Sequence, residues 1–346
     1  MVRKRNGSIL KQIADETGVS VMTVSRAMSG RVAKYRSAQE RTQRILALAA
    51  RLNYRPSAAA RTMVSGRSQA VCLLLPSAAG QSSVIFPGIL DALHDELARH
   101  NYHLTIARLP GSEAIARGEL PKALRETLAD GFLVNYYGQL ELAALRPIER
   151  LDEPVVWINF KRACDTVRPD DYGAGKEATR RLVDLGHRRI AYVRVWDQSH
   201  YSGLDRRRGY EAVMAQAGLV PQVLEFDRIA DAERRARLLA LLRGAKRPTA
   251  IVTYAVASSL AVLRITETLG LQSPRDLALI HLSGELTLPC GLALTGMQPP
   301  WYRIGQEAAV RLLSKIARPA RRFPALAIPF VVQPGDTLAP PATAPE

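Results

Sequence analysis

Residues 9–28 read ILKQIADETGVSVMTVSRAM, and this stretch sets the class of the N-terminal part. Leu10, Ile13 and Ala14 fall on one side of a helix that Ser8 can cap, and Gly18 tolerates the positive φ with which that helix must stop. Ser20 can cap a second helix, in which Val24 and Met28 lie four apart. Small residues let the two helices cross closely, as in a helix-turn-helix, although many helical hairpins share this spacing. Downstream, Ser37 with Glu40 reads as a capping box that opens a third helix carrying Ile45, Leu48, Ala49 and Leu52. Three short helices around one small core fit a DNA-binding module.

The charge is placed where such a module would need it. Of a net +16, residues 1–67 hold 14 Lys/Arg against 3 acids, an excess of +11, while the other 279 residues carry +5. A compact unit of that density is attracted to a polyanion before any specific contact forms, though a solvated basic face would show the same charge. Nothing reads as a membrane span or an export signal: no run of eighteen apolar residues occurs, and Met1-Val2-Arg3-Lys4-Arg5 leads into a polar segment. A cytoplasmic protein is expected. Cys72, Cys164 and Cys290 are far apart in no ligand-like spacing.

Beyond the helices, residues 55–67 form a junction. Pro56 stops the preceding helix, Ser57 can cap a short one over 58–64, and Gly66 ends it. So short a helix is marginal in water and forms only when packed on DNA or a partner. From residue 70, buried-strand runs at 71–75, 102–107, 131–135, 155–159, 190–193, 250–254 and 277–282 alternate with amphipathic helices. Seven such units exceed one comfortable sheet. The expected fold is an all-α helix-turn-helix headpiece plus an α/β body of two doubly wound parallel-sheet subdomains with a cleft between them. The divisions are 1–54 headpiece, 55–67 hinge, 68–335 body, and a Pro/Ala-rich tail over 336–346 expected to be disordered.

The literal strings are more specific than the pattern. Residues 9–28 resemble the DNA-binding domain of the lactose-repressor (LacI-type) family. Leu52-Asn53-Tyr54-Arg55-Pro56 is similar to that family's L-G-Y-x-P, and residues 60–67 to its A-R-S-L-R-S-G-R. In the body, residues 185–191 reproduce L-G-H-R-R-I-A, with Gly209-Tyr210 and residues 248–251 following in the family order. The resemblance implies a periplasmic-binding-protein-type body, a homodimer, a double-stranded palindromic DNA operator, a small-molecule effector, and repression.

It also implies roles. The second helix would enter the major groove, with Ser20, Thr23 and Ser25 near phosphate, Val21 and Met22 at base-reading positions meeting thymine methyls, and Arg26 at guanine or phosphate. Asn53, Tyr54, Ser57, Ala60 and Arg61 match the segment leading into and through the hinge, where Met63 stands in place of the family's Leu wedge in the minor groove. Residues 31–36 make a longer loop than usual, whose Lys34, Tyr35 and Arg36 would add phosphate contacts. In the body, Arg206 matches the effector-binding Arg and Phe86 a pocket aromatic, with Tyr136, Asp171 and Trp196 as neighbours. The family's N-D is here Ala255-Val256 and its G-F-D-D is His281-Leu282-Ser283-Gly284. Without those carboxylates Arg206 would have less counter-charge, which favours an anionic effector, such as a sugar derivative, a less polar one, or a body that has lost effector binding.

Other classes find little support. Residues 172–177 lack the first Gly and the Ser/Thr of a phosphate loop, and the six histidines make no zinc-binding pair. Neither an enzyme nor a cytoplasmic sugar-binding protein is expected, and no cofactor or metal.

Overall fold

The computed structural model describes residues 6–28, 36–55, 57, 62, 66–76, 84–126, 128–137, 145–195, 200–226, 230–284 and 291–342. The chain divides into two compact units, Met1–Gln69 and Ala70–Glu346. The first holds helices α1 (Asn6–Thr17), α2 (Val21–Met28) and α3 (Arg36–Arg51). Ile13, Ala14, Val24, Ala27, Ile45 and Ala49 form its core, with Val19, Leu48, Leu52 and Tyr54 packed around it. Gly18 takes φ +67, and Val19 N–H returns to the Ala14 carbonyl at 3.0 Å, which turns the chain sharply between α1 and α2. Ser20 caps α2 as expected, its Oγ accepting Thr23 N–H at 3.2 Å. Ser8 and Ser37 do not take cap positions, because α1 already begins at Asn6 and α3 at Arg36.

The second unit contains two six-stranded sheets. One is built from β1 (Ala70–Pro76), β2 (His103–Leu109), β3 (Gly131–Asn135), β4 (Val155–Ile158), β5 (Thr166–Pro169) and β11 (Leu326–Ile328), in the order β11-β5-β4-β3-β1-β2 and parallel throughout. The other is built from β6 (Ile190–Arg194), β7 (Gln222–Glu225), β8 (Ala250–Thr253), β9 (Ala278–His281), β10 (Gly296–Gln298) and β12 (Val331–Gln333), in the order β12-β10-β9-β8-β6-β7. It is parallel except for β12, which runs against β10. Both sheets are doubly wound, and each has an apolar cluster on either face. The chain crosses between the two subdomains three times, after β5, after β10 and after β11. In open sheets of this kind ligands bind beyond the carboxyl ends of the strands where the winding reverses, here beside β1 and β3 and beside β6 and β8.

Two glycines fix the geometry of the second subdomain. A Cβ on Gly175 would lie 2.1 Å from the Arg206 carbonyl oxygen, and one on Gly209 would lie 2.2 Å from that of Tyr172. Helices Asp171–Asp184 and Tyr201–Gln216 therefore cross at backbone contact, and residues 172–177 serve that crossing as the start of a helix. Gly209→Ala must push rigid backbone apart. It is expected to lower body stability by about 1–3 kcal/mol, measured by urea denaturation, and an unchanged midpoint would contradict the crossing.

The expectation of a disordered tail from residue 336 is corrected. Asp336 accepts Ala293 N–H at 2.9 Å. Thr337 is fully buried, its hydroxyl donating to Leu279 O at 2.7 Å, and Leu338 packs on the core. His187, from the L-G-H-R-R-I-A string, bonds Thr249 Oγ1 through Nδ1 and the Ala339 carbonyl through Nε2, both at 2.9 Å. Proline and alanine content suggested a chain unable to fold by itself, but this segment is held by carbonyls and donors that the body supplies. The body thus continues past 335.

Candidate nucleic-acid interface and body cleft

The orientation of α2 follows from which of its side chains the headpiece core takes. Val24 is fully buried and Ala27 nearly so. At helical spacing that turns Val21, 43% exposed, and Met22, 66% exposed, to the outside together with Ser25 and Arg26. Ser20 is exposed and Thr23 half-buried at the helix N-terminus, their hydroxyls 2.9 Å apart. Free backbone N–H groups and the helix dipole make such an end suited to an anion. Arg51 reaches Glu16 at 3.2 Å and Gln12 reaches the same carboxylate at 2.8 Å, tying α3 to α1.

The remaining headpiece candidates divide. Asn53 is exposed with φ 48. Tyr54 is half-buried against the core, and burial pushes its phenol pKa up. Ser57 is half-buried. Ala60, Arg61 and Met63, and loop residues 31–35, lie outside the described residues. Gly66 N–H bonds the Thr62 carbonyl at 2.8 Å, with Gly66 at φ +68.

In the body, Arg206 is almost fully buried on helix Tyr201–Gln216. Its Nε donates to Asp171 Oδ1 at 2.8 Å and its Nη1 to the Tyr254 carbonyl at 2.8 Å. Its guanidinium lies 4.6 Å from the Tyr254 ring centre and 5.4 Å from that of Phe330. Burial opposes its charge, but the Asp171 carboxylate holds it more firmly protonated than a free arginine. This corrects the expectation that Arg206 is short of counter-charge: Asp171, from the neighbouring helix, supplies it, which removes that argument for an anionic effector. The second oxygen of Asp171 is buried and has no hydrogen-bond partner among the described residues.

Phe86 and Tyr136 are also placed. The Phe86 ring is stacked on Trp301 at 3.9 Å and 7°, so that face is packed against protein. Tyr136, buried just after β3, lies edge-on to Phe160. Trp196 is outside the described residues. Sequence reasoning missed a second set altogether. Asn159 and Lys161 follow β4, and His200 caps the helix of Arg206. His200 Nε2 meets the Asn159 carbonyl at 3.0 Å and its Nδ1 meets Ser202 Oγ at 2.8 Å, which in turn is 2.9 Å from the Tyr254 hydroxyl. Lys161 Nζ lies 2.7 Å from both oxygens of Asp205. No spacing in the chain links residues 159–161 to 200–205; only the two folded sheets bring them together.

The buried histidines give the body a pH dependence. His281 is fully buried, and burial drives its pKa from 6.5 to about 4. Burial lowers those of His187 and His200 as well. All three are held neutral in the folded body and take up protons near 6.5 once unfolded. Their contribution is complete above that pH and diminishes as the pH falls below it; for His281 the loss continues to about pH 4 and amounts to about 3 kcal/mol. The melting temperature is expected to be level between pH 8 and 7 and to decline below 6.5. His281→Gln should flatten that decline, and an unaltered slope would contradict the assignment.

Two sequence profiles match the chain. Residues 9–57 match "Bacterial regulatory proteins, lacI family", and residues 179–338 match "Periplasmic binding protein-like domain". The HTH-type transcriptional regulator GntR of Escherichia coli K12 is 27% identical, with 97% of this chain and 100% of that protein aligned. The HTH-type transcriptional repressor PurR of Vibrio vulnificus is 26% identical over 89% of this chain and 91% of its own length. Among solved structures, the lac repressor dimer bound to operator and the anti-inducer ONPF superposes with a TM-score of 0.72 at 18% identity, covering 94% of this chain and 98% of that one.

Proposed function

Because this chain belongs to the lacI family of bacterial regulatory proteins, we propose that it is a cytoplasmic repressor that binds a palindromic operator as a homodimer and answers to a small effector in its body cleft. The observation that carries the reading is the face of α2. Two large apolar side chains, Val21 and Met22, are exposed beside Arg26 on a helix whose other side is the headpiece core. Exposed apolar groups at the start of a helix with a cationic neighbour suit the major groove, where thymine offers a methyl and guanine two acceptors. Ser20, Thr23 and Ser25 take phosphate, as does the positive end of α2. Met63 wedges a base step in the minor groove at the centre of the site.

The homologous proteins named above are transcriptional regulators, and an enzymatic role is not proposed. For the effector, Arg206 is already held by Asp171, so an anion would have to compete with that carboxylate for it.

Equilibrium binding to duplexes tests this reading. A selected palindrome should bind at least a thousand-fold more tightly than random DNA, with affinity falling steeply as salt rises. Arg26→Ala should cost roughly ten- to a hundred-fold on that palindrome and much less on random DNA. Met63→Ala should likewise spare nonspecific binding. Equal losses on both duplexes would overturn these roles.

A further inference from the structure

Among the described residues, several polar groups that face each other across the body cleft bond one another. The Asn159 carbonyl can only accept, so His200 Nε2 carries the proton and Nδ1 is the acceptor. Ser202 Oγ therefore donates to Nδ1 and accepts from the Tyr254 hydroxyl. Arg206 donates both to the Tyr254 carbonyl and to Asp171, beside the crossover after β5. One directional line of hydrogen bonds thus runs from the Tyr254 hydroxyl through Ser202 and His200 to Asn159 in the first subdomain, and Arg206 ties the Tyr254 backbone to Asp171 behind it. Asn159 is itself held, with φ 57, by its Nδ2 on the Tyr136 carbonyl at 3.1 Å. The His200 ring is flanked by Tyr136, Tyr137 and Tyr201, with centres 6.0, 5.9 and 4.3 Å away. A second tie, Lys161 on both oxygens of the buried Asp205, crosses beside it.

We propose that His200, with Lys161 and Asp205, is an internal latch that holds the two subdomains closed without a bridging ligand. In a cleft of this kind a bound molecule ordinarily supplies the bridge between the two sheets. Here a histidine at a helix N-cap reaches a main-chain carbonyl of the opposite subdomain, and a lysine reaches the opposite acid. An effector then works by displacing these contacts and opening the body, so its affinity is set by competition with His200 and Lys161. This consequence rests on the regulator reading; the latch itself does not.

Hydrogen exchange of the full-length chain, with no small molecule added, tests it. The backbone amides of residues 136–137, 159–161 and 200–202 should be protected in the natural protein. His200→Ala removes both hydrogen bonds of the imidazole and should speed exchange at those amides by about ten-fold or more, with protection in β1 and β8 unchanged. His200→Gln keeps an amide donor for the Asn159 carbonyl and should restore most of the protection. If His200→Ala fails to fold, Lys161→Ala decides. That side chain is half exposed, so the effect should be about two- to five-fold and confined to the same amides. Fast exchange at these amides in the natural protein, or His200→Ala and Lys161→Ala without effect on them, would overturn the latch. Operator binding is measured on the same samples: its loss in the natural protein would count against the regulator reading and leave the latch standing.

Discussion

Asp171→Ala is expected to lower the unfolding free energy of the body by about 3–5 kcal/mol, read from urea denaturation of the full chain. The side chains of Asp171 and Arg206 are only 1% and 8% exposed. Removing the carboxylate leaves a buried guanidinium with one carbonyl and two ring faces in place of an ion partner, and the charge cannot escape by losing its proton. Asp171→Asn should cost less, since an amide oxygen can still accept from Arg206 Nε. Adding Arg206→Met to Asp171→Ala should recover part of the loss, because the penalty lies in the unpaired charge. A double variant no better than the single one would mean that packing, and not charge, holds these helices together.

The second large effect belongs to the headpiece. Ile13 is fully buried in a core of six small and medium side chains, so Ile13→Ala removes a large share of what holds three short helices together. A loss of about 2–5 kcal/mol approaches or exceeds the whole stability of a unit this small. Specific DNA binding is expected to fall by more than a hundred-fold. The melting of the second unit, which has its own cores, should not move. A coincident shift of the body transition would show that the two units do not fold separately.

What the sequence could and could not disclose follows from range. Gly18, Ser20 and the Val24 spacing act within one or two turns, and their consequences were legible: the turn, the cap and the outward placement of Val21 and Met22. Most of the recognised strands, even the four-residue β4, β8 and β9, are near-continuous apolar runs. Strands β5, β7, β10 and β12 are interrupted by polar residues, Gly or Pro, β11 has three residues, and all five lie at sheet edges or crossovers. The Asp171–Arg206 pair spans 35 residues and depends on Gly175 and Gly209 permitting a backbone-close crossing, which no local pattern encodes. The contacts of His200 and Lys161 depend on two sheets facing each other. The resemblance located Arg206 and set Asp171 among its neighbours, but the ion pair between them is made only by the crossing of the two helices.

The central claim is that α2 reads bases through Val21, Met22 and Arg26. It is tested most directly by selecting duplexes from a random library with the natural protein and with Met22→Gln in parallel. The natural protein should enrich a palindrome whose half-sites carry thymine where Val21 and Met22 meet the groove. Met22→Gln should change the preferred base at one position per half-site toward adenine and leave the rest of the site as it was. Enrichment of no palindrome, or an identical palindrome with both proteins, would contradict the account.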